Sequence, residues 1–90
     1  MPRITFRKNK PNGFNSFRGF TGRIDGKWFA QGFECTNGDW TGSITVKDVT
    51  KHCGWRWVAL RRAYPTEAEL RAAIKRAAIE HADRLHPLED

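Results

Sequence analysis

A two-residue hairpin loop at Asp25-Gly26 sets Ile24 opposite Lys27 and Arg23 opposite Trp28. A guanidinium beside a flat indole suits polyanions that also carry planar groups. The cation neutralises phosphate, and the ring stacks on an unpaired base or lies against a sugar. Phe17, Thr21, Thr45 and Lys47 fall on the same expected sheet face, adding an aromatic ring, hydroxyls that donate to phosphate oxygens, and a further cation. Arg7, Lys8, Lys10, Arg18 and Lys27 supply more positive charge in the same half of the chain. The expected binding set is therefore Arg7, Lys8, Lys10, Phe17, Arg18, Arg23, Lys27, Trp28, Thr45 and Lys47.

The charge distribution points the same way. The 90-residue chain has a formal charge of +6, from 16 Lys and Arg against 10 Asp and Glu. Arg3, Arg7, Lys8, Lys10, Arg18 and Arg23 fall in residues 1–23, which contain no acid, so the rest of the chain is balanced. A local excess of this kind favours DNA, RNA or an acidic protein surface, through long-range attraction and counterion release. A solubilising basic arm is the bland alternative.

Other chemistries lack their constellations. His52 adjoins Cys53, but sequence neighbours rarely share the orientation a thiol and its base require. His81 falls on a helical apolar stripe, where it reads as a core-edge residue. The acids sit in turns or charge pairs, so no carboxylate pair with divided protonation is evident. Gly19-x-x-Gly22 does not lead into a helix and is no phosphate loop. Cys35 and Cys53 are the only cysteines, without Cys-x-x-Cys or paired-His spacing, and read as buried or partly buried thiols. The expectation is a non-enzymatic domain without metal or cofactor. No apolar run is long enough to span a bilayer and no signal-peptide core is present, which gives a cytoplasmic address and no membrane partner.

The elements that must position these residues follow from turns and periodicity. Ninety residues allow one sheet and one covering helix, and with 39% hydrophobic residues, six Phe and four Trp the chain can fill a core. Lys10-Pro11-Asn12-Gly13 is a break, so residues 1–13 read as a basic arm or an edge strand at Ile4 to Lys8, ahead of an α+β domain over 14–90. Asp25-Gly26 and Asn37-Gly38 then read as two hairpin loops. At face value they put Phe20, Gly22, Ile24, Phe29, Gln31, Phe33, Cys35, Trp40, Gly42, Ile44 and Val46 on one face, which reads as the core. The other face collects Phe17, Gly19, Thr21, Arg23, Trp28, Ala30, Gly32, Glu34, Thr41, Ser43, Thr45 and Lys47. A bulge at Gly19, Gly22 or Gly32 would flip the residues beyond it.

A fourth strand is expected at Trp55 to Arg62, after the loop Thr50 to Gly54. Either Trp55, Trp57 and Ala59 point inward, or Val58 and Leu60 do; the large area of an indole favours Trp inward. Thr66-Glu67-Ala68-Glu69 fits a capping box, and a helix from about Glu67 to Leu85 follows, stopped by Pro87. Leu70, Ala73, Ile74, Ala77, His81 and Leu85 form its apolar stripe, flanked by Ala78. Glu67 to Arg71, Arg76 to Glu80 and Glu80 to Arg84 are spaced as i,i+4 charge pairs. The fold class is α+β: an antiparallel sheet of three to four strands, five if Ile4 to Lys8 joins, covered on one face by a single C-terminal helix.

Phe17-Arg18-Gly19-Phe20, Gly26-Lys27-Trp28 and Tyr64-Pro65-Thr66-Glu67-Ala68-Glu69 together are similar to the pattern of AP2-type DNA-binding domains, which also place three strands before one helix. The resemblance implies that Arg18, Arg23, Lys27 and Trp28 belong to a sheet that enters the DNA major groove. These motifs cover about a fifth of the chain, and the stretch between Trp28 and the helix is longer here by a whole hairpin. The functional expectation is a small binding domain for nucleic acid. The alternative is a protein-interaction module, a small accessory or phage-like regulator of a larger protein.

Overall fold

A computed structural model describes residues 3–9 and 18–89. Five antiparallel strands, β1 (Ile4–Lys8), β2 (Gly19–Ile24), β3 (Lys27–Glu34), β4 (Trp40–Lys47) and β5 (Trp55–Ala59), form one open sheet in chain order. One helix, α1 (Glu67–Glu80), lies across β4 and β3. Ile4–Lys8 is thus an edge strand, paired with β2 from Ile4↔Ile24 to Lys8↔Phe20. The α+β class and the single C-terminal helix match the expectation from sequence.

The first hairpin forms as its sequence dictates. Asp25 and Gly26 both adopt positive φ (50° and 83°), the mirror-image turn that follows strand twist, and Arg23 pairs with Trp28. Beyond that pair the register shifts between Gly22 and Arg23, because β3 carries a bulge at Phe29. Phe29 and Ala30 are both buried, and Phe20 faces Gly32 instead of Gln31.

The second loop differs from the two-residue reading. Asn37 does not take the positive φ that such a loop needs; its side-chain oxygen instead accepts the N–H of Asp39 at 3.0 Å. Cys35 N–H closes onto Asp39 carbonyl at 2.7 Å, so five residues join Glu34 to Trp40 and the pairing becomes Phe33↔Thr41, Gly32↔Gly42 and Ala30↔Ile44. Both departures act on β3. Ala30 and Gly32 therefore turn to the helix and Gln31 and Phe33 turn away, the reverse of the sequence reading, while β2 and β4 keep their expected faces.

The core lies between this face and α1. Phe20, Phe29, Ile44, Leu70 and Ile74 are its largest fully buried apolar side chains. Gly32 and Gly42 pair directly beneath Leu70. A Cβ on Gly32 would meet Leu70 and Phe20 at 2.7 and 2.6 Å, so this pair of glycines is what lets the helix approach. On the helix Leu70, Ala73, Ile74, Ala77 and Ala78 are buried, as the stripe predicts. Thr66 Oγ1 accepts the N–H of Glu69 at 3.2 Å, the expected N-cap bond, while the Glu69 carboxylate accepts from the Thr66 hydroxyl at 3.3 Å in place of the backbone N–H of the full capping box.

Three further expectations are corrected. First, α1 stops at Glu80 instead of running to Leu85. Segment 84–88 leaves the helix and enters the fork where β3 and β4 part below Ala30↔Ile44. Lys47 N–H donates to Arg84 carbonyl at 2.8 Å, His86 N–H to Thr45 carbonyl at 3.1 Å, and Trp28 and Leu88 exchange backbone bonds at 2.9 and 2.7 Å. The unpaired strand groups in the fork are thereby satisfied, and Leu85 is buried by that docking. Second, Glu67 and Arg71 pair at 2.9 Å, but Arg76 to Glu80 and Glu80 to Arg84 form no ion pair among the described residues, the latter because the helix has ended. Third, Cys53 is exposed, in the loop before β5 that Gly54 closes at φ 83°.

Candidate nucleic-acid interface

The sheet face opposite α1 is built from alternate residues of all five strands. Thr5 and Arg7 come from β1, Thr21 and Arg23 from β2, Trp28, Gln31 and Phe33 from β3, and Thr41, Ser43, Thr45 and Lys47 from β4. β5 completes it. Thr45 pairs with Trp57 and Lys47 with Trp55, so both indoles lie on this outer face, and Val58 and Leu60 pack against the core. This reverses the inward facing favoured from indole area. On β5 either parity offers apolar side chains, and the pairing with β4 sets Val58 beside Ile44 on the helix side, which leaves both indoles outside.

The tryptophans form one cluster. Trp28 meets Trp57 across β4 with ring centroids 5.3 Å apart, and Trp55 meets Trp57 at 5.9 Å, both edge to face. Trp28 Nε1 donates to the Ala30 carbonyl at 2.9 Å, which fixes its ring. All three indoles are half-buried, so each keeps part of its surface in solvent. Farther along the face, Phe33 is 44% exposed.

Cations border this cluster. Arg23 opposes Trp28 and donates to Gly26 carbonyl at 3.1 Å, while Lys47 opposes Trp55. Arg7 lies two strands from Trp28 on the exposed edge. Among the described residues, no strand position that projects from this face is acidic. The face therefore joins positive potential to ordered aromatic surface.

The structure separates the expected set. Arg7, Arg23, Trp28 and Lys47 share the outer face. Thr45 lies on it too but is 0% exposed, its hydroxyl 2.8 Å from the His86 carbonyl and 3.3 Å from that of Phe29, so it cannot reach a ligand. Lys27 projects to the other side and pairs with Glu89 at 3.6 Å. Lys8 falls on the helix side of β1, exposed at the edge, and Arg18 is exposed just before β2. Lys10 and Phe17 lie outside the described residues. Trp55 and Trp57 are the surface aromatics that sequence reasoning placed elsewhere; the signal available was the alternation of β5 against Thr45 and Lys47.

Other weighed groups lie apart from this face or are tied up. His52 is exposed, and Cys53 Sγ donates to the Trp55 carbonyl at 3.2 Å. Cys35 Sγ lies 3.6 Å from Thr41 Oγ1. No group of three or more His, Cys, Asp or Glu is arranged to hold a metal among the described residues. Among those residues no helix is long and apolar enough to cross a membrane. In the loop before β5, Asp48 accepts from the Thr50 hydroxyl at 2.6 Å and the Thr50 N–H at 3.0 Å, and pairs with Arg56 at 3.1 Å. The Thr50 hydrogen bonds first, then the Arg56 and Lys51 charges, hold its carboxyl below its ordinary value.

No protein-family model, curated protein or solved structure matches this chain. The AP2-type resemblance gains no support from these comparisons. Its four residues are also divided here, with Arg23 and Trp28 on one face, Lys27 on the other and Arg18 outside the strand.

Proposed function

We propose that this protein is a nucleic-acid-binding domain that lays an unpaired strand across the outer face of its sheet. The observation that supports the reading most is the union, on a face whose described strand positions carry no acid, of the Trp28–Trp57–Trp55 cluster with Arg23, Lys47 and Arg7. Phosphates pair with the cations, and bases stack on the exposed parts of the indoles and on Phe33. Half-buried aromatics held edge to face favour exposed bases over a closed duplex, whose bases are already stacked. A second reading, an acidic protein surface as the partner, is favoured by the same half-buried tryptophans, a residue type that anchors protein interfaces. Titration of the 15N-labelled chain with a mixed-sequence 12-nucleotide single strand, its duplex and an RNA of the same sequence separates them. Shifts confined to the outer face, with the single strands tighter than the duplex, are expected. No shifts at low salt would overturn the nucleic-acid reading and send the search to protein partners.

A further inference from the structure

A cleft of about 580 Å3 opens between α1 and β5, on the opposite side of the sheet from the tryptophans. It exists because α1 lies over β4 and β3 and leaves the helix side of β5 without a cover. Ile44, Val46, Val58, Leu60 and Ala77 give it an apolar floor. Arg56, Arg61, Arg76 and Arg84 line it against one carboxylate, Glu80, with His81 alongside. Arg56 is committed to Asp48, but Arg61, Arg76 and Arg84 have no ion pair among the described residues. The cleft is therefore apolar below and cationic around, which complements an acidic occupant with apolar side chains.

The strand beside it says what shape that occupant has. Leu60 N–H donates to Gly42 carbonyl and Asp48 N–H to Gly54 carbonyl, both at 2.9 Å, so residues 54, 56, 58 and 60 turn their backbone groups to β4. By antiparallel alternation the N–H and C=O groups of Trp57 and Ala59 point away from β4 to the open edge. Among the described residues no strand pairs with that edge. Free ladder groups next to an apolar cleft are the two parts of a site that recognises a chain by adding it as a strand: main-chain bonds hold the backbone, and alternate side chains enter the cleft.

We propose that this cleft and edge bind an extended acidic segment of a partner protein, which pairs with β5 as a sixth strand. Its apolar side chains, every second residue, fill the space over Val58 and Leu60. Its carboxylates meet Arg61, Arg76 and Arg84. This site is separate from the outer face and does not rest on the nucleic-acid reading.

The test is a displayed library of random decapeptides selected on the intact chain, followed by anisotropy titration and amide exchange with the enriched peptide. Enrichment of acidic peptides with alternating apolar residues is expected, with exchange at the Trp57 and Ala59 amides slowed at least tenfold on binding. The double variant Arg76→Glu, Arg84→Glu, at exposed positions, should weaken that peptide at least tenfold. Ala59→Pro, which removes an edge N–H without removing a bond to β4, should weaken it as much. A saturating 12-nucleotide single strand should leave the peptide bound. Failure to enrich, enrichment of neutral or basic peptides, unchanged exchange on β5, or displacement by the oligonucleotide would each overturn the proposal.

Discussion

Directly under α1, over β3 and β4, the sheet is filled to contact, with Gly32 and Gly42 giving way to Leu70 and with Phe20 and Phe29 wholly enclosed. On its outer side, equally large aromatics stand half in solvent among cations, and no described strand position on that face is acidic. One sheet thus carries two aromatic surfaces, one enclosed and one open. The part under α1 is a folding surface, in which each added or lost carbon disturbs close packing. The outer side holds its rings by edge contacts and one indole hydrogen bond, and leaves part of their area in solvent.

That contrast can be broken from either side. Leu70→Ala should have the largest effect, a loss of about 2–5 kcal/mol of stability, because the cavity sits between the glycine pair and Phe20. Denaturant unfolding would register it as a lower midpoint, whereas an unchanged midpoint would mean that α1 does not seal the core. Trp28→Ala should cost about 1–3 kcal/mol of nucleic-acid affinity, roughly five- to 150-fold, and alter the unfolding midpoint less than Leu70→Ala does. A drop in stability equal to that of Leu70→Ala would mark Trp28 as a folding residue and erase the distinction.

Smaller effects sharpen the comparison. Lys47→Ala should weaken binding similarly for all sequences and reduce the slope of log affinity against log salt by about one, since it would remove one phosphate contact. The Asp48 loop offers a pH readout. Its folded carboxyl lies below the ordinary 3.8, so its hydrogen bonds and Arg56 pair contribute stability above that value and lose it as the pH falls through the lower folded one. Acid unfolding of Asp48→Asn should lack that low-pH step, while a profile identical to the parent would show that the loop is not coupled to folding.

Elements dictated by local chemistry were legible in the sequence. Asp25-Gly26 takes the positive φ values its residue types favour, and the Thr66 cap with the Leu70, Ala73, Ile74, Ala77 stripe places the helix start and buried side. What escaped depended on competition between local and distant partners. Asn37 spends its side chain on Asp39 instead of a tight turn, the Phe29 bulge reverses part of β3, and the tail at 84–88 is drawn out of a helical pattern by backbone groups in a fork formed by strands some 40 to 60 residues earlier. In the candidate site, Arg23, Trp28 and Lys47 were placed together by turn and alternation. Trp55 and Trp57 were not, because Trp-Arg-Trp-Val-Ala-Leu offers apolar residues at both parities and only the register of β5 on β4 decides between them.

The most direct test of the outer face is the affinity of the chain for a 12-nucleotide single strand across a salt series, measured for the parent and for Trp28→Ala by tryptophan fluorescence. Steep weakening with salt in both, a nearly parallel slope and a uniformly lower affinity in the variant are predicted, since the cations set the slope and the indole adds a salt-insensitive share. No binding at low salt, or a variant indistinguishable from the parent at every salt concentration, would contradict a nucleic-acid interface on this face.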